Sequence, residues 1–389
     1  MLKVTSDAAG VSALTQGPDA APEDVGLRPA ATLGDAGLPP GGSVGSWLAD
    51  RLGLRGIAYP VPTHANRLPY ILGGITLTGF VFLFVTGIYL AQFYHPHPAD
   101  AHDSVVYIMT GAPLGGIVRS VHYWIAQVVV VTVLLHLVRA MWYASYKRPR
   151  EVNYLVGLGL LAVTMGLAYT GTVLKFDQEG IEALAHNTAF AEFIGGFGTW
   201  FSTDFSQSVP LLTRVFVGHT ALLPLVFVLL IAAHVFLIKQ HGISPKVTFE
   251  AESRATAGEG DSHFDVHVRR MLGFGLLLLA LALGLSLAWP APLGQPGVAG
   301  AEVTKPPWMF VALLPVEQLW GVGALIIAPL VLGAFFALVP FVDRTPYMHP
   351  ARRKAILAAV ASVALLAVAA AVFAELQPVQ QHLNMAVMK

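Results

Sequence analysis

The chain has 389 residues, of which 55% are hydrophobic and only 12% charged, and its 23 basic side chains balance 23 acidic ones. So few charges cannot cover a soluble protein of this length, and the charge balance offers no basic surface for nucleic acid. Because the sequence contains no cysteine, it excludes disulfides, thiolate-held iron–sulfur clusters, cysteine zinc sites and thioether-linked cofactors.

The N-terminal region is predicted to lie outside the membrane. Residues 1–42 are rich in Ala, Gly, Pro and Asp without periodicity, which predicts a disordered cytoplasmic tail, and they show no apolar run of the signal-peptide type. The next stretch, SVGSWLADRLGLRG, is predicted to form a short helix on the membrane surface. Its apolar face would carry Trp47, Leu48, Leu52 and Leu54.

Seven later segments are apolar and long enough to cross a hydrocarbon core, which requires about 20 residues. They cover approximately residues 69–93, 118–145, 153–174, 211–239, 271–290, 319–341 and 354–375. The sequence therefore predicts an all-α integral membrane protein, with a bundle of the first four spans and three further transmembrane helices.

Basic residues mark alternate loops of this arrangement. They are Lys147, Arg148 and Arg150 after the second span, Lys239, Lys246, Arg254, Arg269 and Arg270 around the fourth loop, and Arg344, Arg352, Arg353 and Lys354 after the sixth span. By the positive-inside rule these loops are cytoplasmic. We therefore expect a multi-pass protein of the inner (cytoplasmic) membrane with its N-terminus inside and its C-terminus outside.

Only four of the 14 histidines lie deep in predicted spans, His122 and His136 on the second and His219 and His234 on the fourth. Spacings of 14 and 15 residues return to about the same helix face after a rise of roughly 21–22 Å. Because these spans are antiparallel, His122 is predicted to face His219 near the outer surface, and His136 to face His234 near the inner one.

Two stacked pairs of imidazoles suit two non-covalent b-type haems. An iron with two axial histidines has no open position, so each site would carry single electrons. A single intramembrane histidine could instead serve only to bond a neighbouring helix. Four histidines in two spaced pairs favour haem ligation.

Glycines repeat the histidine spacing, with Gly73 and Gly87 on the first span and Gly157 and Gly171 on the third. A glycine removes the Cβ that would obstruct a flat macrocycle between helices, although ordinary packing of small residues is the alternative.

Cations near the histidines are candidate partners for haem propionates. They are Arg119, Arg139, Arg214 and Lys239. For Arg139 and Lys239, snorkelling to the interface or a role in topology remains an alternative.

These stretches resemble the cytochrome b family of quinol:cytochrome c and plastoquinol:plastocyanin oxidoreductases. The resemblance covers about residues 44–246 and is carried by LGGITLTGF, VTGIYLAQFY, IVRSVHYWIAQ, LLHLVRA, YKRPREVNYLVG, LTRVFVGHT and AAHVFLIKQHGIS. Residues 264–375 resemble more weakly subunit IV of the plastid-type complex, with PFVDRTPYMHPARRK as the best match. The chain thus resembles a fusion of the plastid-type cytochrome b with subunit IV.

The resemblance implies a division into domains. Residues 43–240 would form the four-helix dihaem domain, 241–267 a cytoplasmic linker, 268–376 the three-helix subunit IV-like domain, and 377–389 an external tail.

The resemblance also implies a subunit of a quinol-oxidising respiratory or photosynthetic complex. Quinol would be oxidised near the outer face, with one electron passing to a Rieske-type iron–sulfur protein and the other crossing the membrane to a quinone site near the inner face. A c-type cytochrome or another high-potential acceptor, membrane lipid and a second copy of the chain within a larger complex are the partners it implies.

The chain departs from the family pattern at a covalent haem site. The plastid-type protein has a cysteine just before LGGIT that anchors an extra haem, whereas this chain has Ile71 there, so we predict two haems only.

A second departure lies in the outer quinol site. The family's PEWY motif corresponds here to Pro306, Pro307, Trp308 and Met309, which lacks the acid and the tyrosine. It keeps the tryptophan, so the resemblance implies Trp308 as a residue of the catalytic site. A quinol cannot release both electrons without losing two protons, so another base is required. Glu317 is the first candidate and Asp177 the second, although Glu317 could also be a helix-start carboxylate stabilised by the helix dipole.

The altered motif leaves a second functional interpretation open. The chain could be an electron-conducting membrane anchor of another redox complex, with a degenerate outer quinol site. A transporter without a cofactor is a third possibility, which the four-histidine pattern disfavours.

Overall fold

The computed structural model describes residues 60–245 and 261–379, together with the helical residues Trp47 and Arg51. The predicted tail, most of the predicted surface helix, the middle of the linker and residues 380–389 lie outside the described part. Of two compact units, Met1–Gly56 and Ile57–Lys389, the long described ranges belong to the second.

Ten helices follow one another within the described ranges. They are α1 (Leu68–Ala91), α2 (Ala101–Thr110), α3 (Gly115–Trp142), α4 (Glu151–Val173), α5 (Gln178–Ile194), α6 (Leu211–His241), α7 (Phe264–Ala288), α8 (Leu314–Trp320), α9 (Ala324–Val342) and α10 (Lys354–Leu376). Two short antiparallel strands, β1 (Pro60–Pro62) and β2 (Asp261–His263), join the start of α1 to the start of α7.

The seven predicted spans are confirmed in the described part of the chain as α1, α3, α4, α6, α7, α9 and α10, each long and apolar enough to cross a membrane. The sixth begins later than predicted, because Gly321 adopts a positive φ of 75° and separates the short helix α8 from α9. The helices α2 and α5 lie in loops for which the sequence analysis predicted no helix.

Hydroxyl groups inside the spans are largely satisfied by their own helices. Thr78, Thr164 and Ser286, for example, each donate to the carbonyl four residues earlier. Such bonds remove the cost of a bare polar group in hydrocarbon and leave the helix faces free to pack.

The centre of the four-helix bundle is a packed layer. Phe80 of α1, Val129 of α3 and Phe227 of α6 are buried in one cluster, and the rings of Phe80 and Phe227 have centroids 4.0 Å apart. Thr164 of α4 is buried at the same level of its helix. Each of these residues stands about midway between the two histidines or the two glycines of its helix, so the layer separates two ends of the bundle.

Loops meet in two groups, one at each end of the spans. At one end, Lys147 after α3 pairs with Asp343 after α9, and Arg150 donates to the carbonyl of Gly242 after α6. At the other end, Asp177 after α4 accepts from the Gly294 amide after α7. The three loops predicted to be cytoplasmic thus share one end.

Asp343 is the centre of a buried network of hydrogen bonds and ion pairs at this end, and its side chain is only 1% exposed. Its oxygens accept from Tyr146 at 2.5 Å, Thr345 at 2.7 Å and Lys147 at 3.1 Å, and Arg353 lies 3.5 Å away. Burial would raise the pKa of Asp343, but the hydrogen bonds from Tyr146, Thr345 and Lys147 together hold the pKa below its ordinary value.

Asp343→Asn should destabilise the protein by roughly 3–5 kcal/mol, because the substitution leaves buried cations without their counter-ion. Thermal unfolding in detergent at neutral pH measures the loss. Since the folded-state pKa of Asp343 is lowered, its contribution is present above about pH 4, its unfolded pKa, and disappears as the pH falls through the lower folded pKa. The matched control is Arg344→Gln at an exposed neighbour, which should change little; equal losses for both variants would contradict the prediction.

Candidate functional site

The end of the bundle that the basic loops predict to face outward, called the outer end, holds His122 of α3 and His219 of α6. The Nδ1 atom of His122 lies 2.8 Å from Thr86 Oγ1, and that of His219 lies 2.9 Å from Thr170 Oγ1. Each threonine hydroxyl donates to a backbone carbonyl of its own helix, so it accepts from Nδ1–H. This arrangement fixes the tautomer and leaves Nε2 of each ring as the ligating atom.

The opposite end, called the inner end, holds His136 of α3 and His234 of α6. The Nδ1 atom of His234 lies 3.2 Å from the carbonyl of Asn153, so here too Nε2 is left for ligation. Within the described part of the chain, His136 Nδ1 is buried and has no hydrogen-bond partner.

A glycine on the neighbouring helix faces each of the four rings. An added Cβ would lie 3.4 Å from Cε1 of His122 at Gly87 and 3.2 Å from Cε1 of His219 at Gly171. At the inner end the corresponding distances are 3.1 Å for Gly73 and His136, and 3.4 Å for Gly157 and His234. The glycines of α1 therefore face the histidines of α3, and those of α4 face the histidines of α6.

The unequal histidine spacings have a local structural cause. The segment Gly218–Leu222 of α6 is a π-helical turn, and Pro224 follows it within the same span. Proline removes an amide donor and crowds the carbonyl four residues earlier, which favours a wide turn with one additional residue. The turn begins next to His219, so it accommodates the extra residue that separates 15 from 14.

The donor set fits two b-type haems. Each end of the bundle offers two imidazoles on different helices, of which His122, His219 and His234 are oriented by their Nδ1 partners. Glycines face all four rings, and at Gly73 and Gly171 an added Cβ would be tighter than ordinary van der Waals contact. In the described ranges, no cluster of three or more His, Cys, Asp or Glu side chains could hold a metal ion by itself. A pair of imidazoles is what a macrocyclic iron requires in addition to its own four nitrogens.

The predicted propionate partners lie near both ends but bond to protein groups in the structure. Arg119 donates to the carbonyls of Ala291 and Pro292. Arg139 donates to Ser145 and Ser244 and stacks on Tyr70, and Arg214 donates to the carbonyls of Trp200 and Ser202. Lys239 is exposed in the last turn of α6. Pairing of these cations with haem carboxylates stays a prediction.

An apolar cavity of about 310 Å³ lies beside the outer histidines, between α4, α5, α8, α9 and the segment after α7. Its volume is at the lower end of the range of roughly 300–1,000 Å³ for small-molecule sites. Aromatic and aliphatic side chains such as Phe190 and Phe310 form most of its wall. Its titratable members are Tyr169 of α4, Glu179, Glu182 and His186 of α5, Glu302 of the segment after α7, and Glu317 of α8.

The structure brings one of the three predicted catalytic residues to this cavity. Glu317 of α8 lines it and is 3% exposed. Asp177 lies outside the wall, where it caps α5 through the Gly180 amide, accepts from Gly294 and pairs with Lys175. Trp308 donates to Gln127 at 2.6 Å and is half exposed.

The sequence analysis missed His186, which lies on α5 with its Nε2 3.2 Å from Oε1 of Glu317. Its Nδ1 is 2.7 Å from the carbonyl of Glu182 and donates to it. Burial would lower the pKa of His186, but the Glu317 carboxylate, together with the Glu182 carbonyl and Glu302, outweighs burial and raises the pKa above its ordinary value. The segment QEGIEALAH already spaces Glu182 and His186 one helical turn apart, a signal that could have identified α5.

A more open groove of about 530 Å³ lies at the other end of the spans, between the end of α3 and the start of α10. Tyr143, His349 and Lys354 are its titratable members. It lacks the buried acid–base pair of the outer cavity, so we assign no chemistry to it.

Comparison with known proteins places these features in a family. Residues 127–296 match the family model described as cytochrome b (N-terminal)/b6/petB. The cytochrome b6 of Heliobacterium mobile is 35% identical over 209 residues, covering 51% of this chain and 98% of that protein. The cytochrome b6 of Mesostigma viride is 34% identical over 215 residues, covering 51% and 96%.

A solved structure extends the similarity in fold to the C-terminal spans. A chain described as belonging to a hyperthermophilic respiratory Complex III superposes with a TM-score of 0.71 at 22% identity, covering 85% of this chain and 91% of that chain. The extra helices α7, α9 and α10 fit a fusion with a subunit IV-like part.

Proposed function

Because the chain belongs to the cytochrome b/b6 family, we propose that it is the dihaem cytochrome b subunit of a quinol-oxidising electron-transfer complex. The family, the seven spans and the all-helical fold support membership of a membrane redox complex. The two haems, the quinone sites and the partners are the proposed parts.

The observation that carries the proposal is that α4 contacts an outer histidine with one face and lines the outer cavity with the other. Thr170 and Gly171 on one face contact His219, while Tyr169 and Thr172 on the other face line the outer cavity. A molecule in the cavity is therefore separated from the outer histidine pair by about one helix, roughly 10–12 Å across with its side chains. The same helix thus joins a substrate-sized cavity to a redox site.

His122 with His219, and His136 with His234, would hold the two haems. Each haem would supply a reversible one-electron carrier. The protein's own contribution is orientation: Thr86, Thr170 and the Asn153 carbonyl hold the rings, and the packed layer around Phe80 keeps the two sites apart.

The partners and the orientation follow from this role. A Rieske-type iron–sulfur protein and a c-type cytochrome or other high-potential acceptor would accept electrons at the outer side, within a larger and homodimeric assembly in lipid. The chain would lie in the inner membrane with its N-terminus cytoplasmic and its C-terminus outside, as the basic loops predict. The division at residues 43–240 and 268–376 belongs to the same proposal.

Two measurements on the purified complex test this function. A pyridine haemochrome assay should give a b-type spectrum with two haems per chain, and quinol added with the inner quinone site inhibited should reduce them. One haem per chain, or a c-type spectrum, would contradict the dihaem assignment.

Absence of any reduction by quinol would instead favour the membrane-anchor alternative. The altered residues Pro307 and Met309 motivate that alternative. The buried pair of His186 and Glu317 argues against it, because a degenerate site has no need of a buried acid–base pair beside an apolar cavity.

A further inference from the structure

We propose that His186 and Glu317 act as a coupled pair that accepts a proton from quinol in the outer cavity. The inference rests on the proposed function. It assigns to His186 the acceptance of a quinol proton, for which the motif altered at Pro307 provides no carboxylate.

The geometry gives the two residues distinct parts. Nδ1 of His186 donates to the Glu182 carbonyl, so the ring's basic atom is Nε2, which faces Glu317 Oε1 at 3.2 Å. The side chain of Glu317 is 2% exposed and that of His186 is 18% exposed, so the imidazole is the member that a cavity molecule can reach more easily. Because Glu317 Oε1 faces the basic nitrogen itself, a proton taken up by the pair lies between Nε2 and Oε1, and the carboxylate stabilises the charged imidazole.

Other charged and titratable groups around this pair lie on α5, α4 and the segment after α7. Glu179 and Glu182 lie on the same helix as His186, Glu302 on the segment after α7, and Tyr169 on α4, whereas α9 contributes only Leu325 and Pro329 to the wall.

Two of these carboxylates are already engaged. Glu182 accepts from the amide and hydroxyl of Thr304, and Glu179 pairs with Lys175. Glu302 is 7% exposed and adds negative charge that favours a protonated His186. Glu317 and His186 are therefore the pair best placed to exchange a proton with a molecule in the cavity.

The assigned step is one proton transfer. Oxidation of a quinol to a quinone breaks two O–H bonds and releases two protons and two electrons, and the electrons pass to one-electron, metal-centred oxidants of the assembled complex. In the step assigned here, one quinol O–H bond breaks and an N–H bond forms at Nε2 of His186, while the Glu317 carboxylate balances the new charge. The pair can accept this proton only when it begins deprotonated.

Steady-state quinol oxidation by the assembled complex, measured as a function of pH, tests the pair. In the unmodified protein the rate should rise with pH through an apparent pKa above the ordinary histidine value of 6.5. His186→Gln and Glu317→Gln should each lower the plateau rate by about 10²–10⁴-fold, as expected for a lost acid–base group. In Glu317→Gln the residual rate should rise at a pH lower by ~1–3 units, because burial then acts on His186 without its nearest counter-charge.

Three comparisons keep the test decisive. Haem content is measured first, so that a folding defect is recognised, and Glu317→Asp should restore part of the rate together with the higher apparent pKa. The matched control Glu192→Gln changes an exposed carboxylate on α5 outside the cavity and should leave rate and pH profile unchanged.

If both the His186 and Glu317 variants keep the rate and pH profile of an active parent, the pair is not the proton acceptor, although the proposed function stands. If the parent itself oxidises no quinol, the proposed function fails and the pair's role fails with it.

Discussion

Replacing His219 by alanine should leave a protein with one haem instead of two, and His122→Ala should remove the same one. Both imidazoles lie at the outer end of the bundle on different helices, so both are expected to bind one and the same haem iron. His136→Ala and His234→Ala should remove the other haem, because these rings form the inner pair. Redox titration with haem quantification should show the loss of one of two midpoint steps in every variant.

This experiment distinguishes the two histidine pairs, because each pair is expected to bind a different haem. The packed layer around Phe80, Val129 and Phe227 separates the two ends, so loss of one haem should leave the other with its midpoint potential little changed. His97→Ala, at an exposed histidine of the loop after α1, is the control that should keep both haems. If His122 and His234 variants lost the same midpoint step, the antiparallel pairing would be wrong.

The spans were predictable because a helix that crosses the bilayer can be recognised from the apolar composition of its own sequence. A window of about 20 apolar residues is sufficient to identify a crossing helix, and no knowledge of its neighbours is needed. Gly321 shows the limit: its positive φ ends α8 before α9 begins, yet the apolar composition continues through the break.

The histidine pairs were predictable for a related reason. Two residues at a whole number of turns on one helix need only helical geometry to be placed on one face, and the antiparallel order follows from the count of spans. The π-helical turn Gly218–Leu222 was not predictable from spacing alone, since a spacing of 15 residues is also compatible with a regular helix and a small rotation.

The outer cavity was only partly predictable, because its chemistry depends on contacts between segments distant in sequence. Glu317 was identified as a candidate base from its position after Trp308, but its partner His186 lies on α5, which the analysis took as part of a loop. Asp177 was the second candidate base in the sequence. The structure commits Asp177 to the start of α5 and to Gly294, a pairing that no local pattern reveals.

Gly171→Val should remove the outer haem, and Gly157→Val the inner one. A Cβ at Gly171 would lie 3.2 Å from Cε1 of His219, tighter than ordinary van der Waals contact, and the two further methyl groups of valine add to the crowding. The imidazole would have to turn away from its ligating position, which also breaks its contact with the Thr170 hydroxyl. Because α4 also lines the outer cavity, the proposed quinol site, Gly171→Val should abolish quinol oxidation as well.

Haem quantification and redox titration distinguish this effect from a general failure of the helix. Gly284→Val is the matched control, since it places the same β-branched side chain in a span, α7, where an added Cβ meets nothing within 4 Å. The control shares any cost of valine in a helix and should keep both haems. Retention of both midpoint steps in Gly171→Val would show that α4 yields to the added side chain, and loss of both would show that the two ends of the bundle do not bind their haems independently.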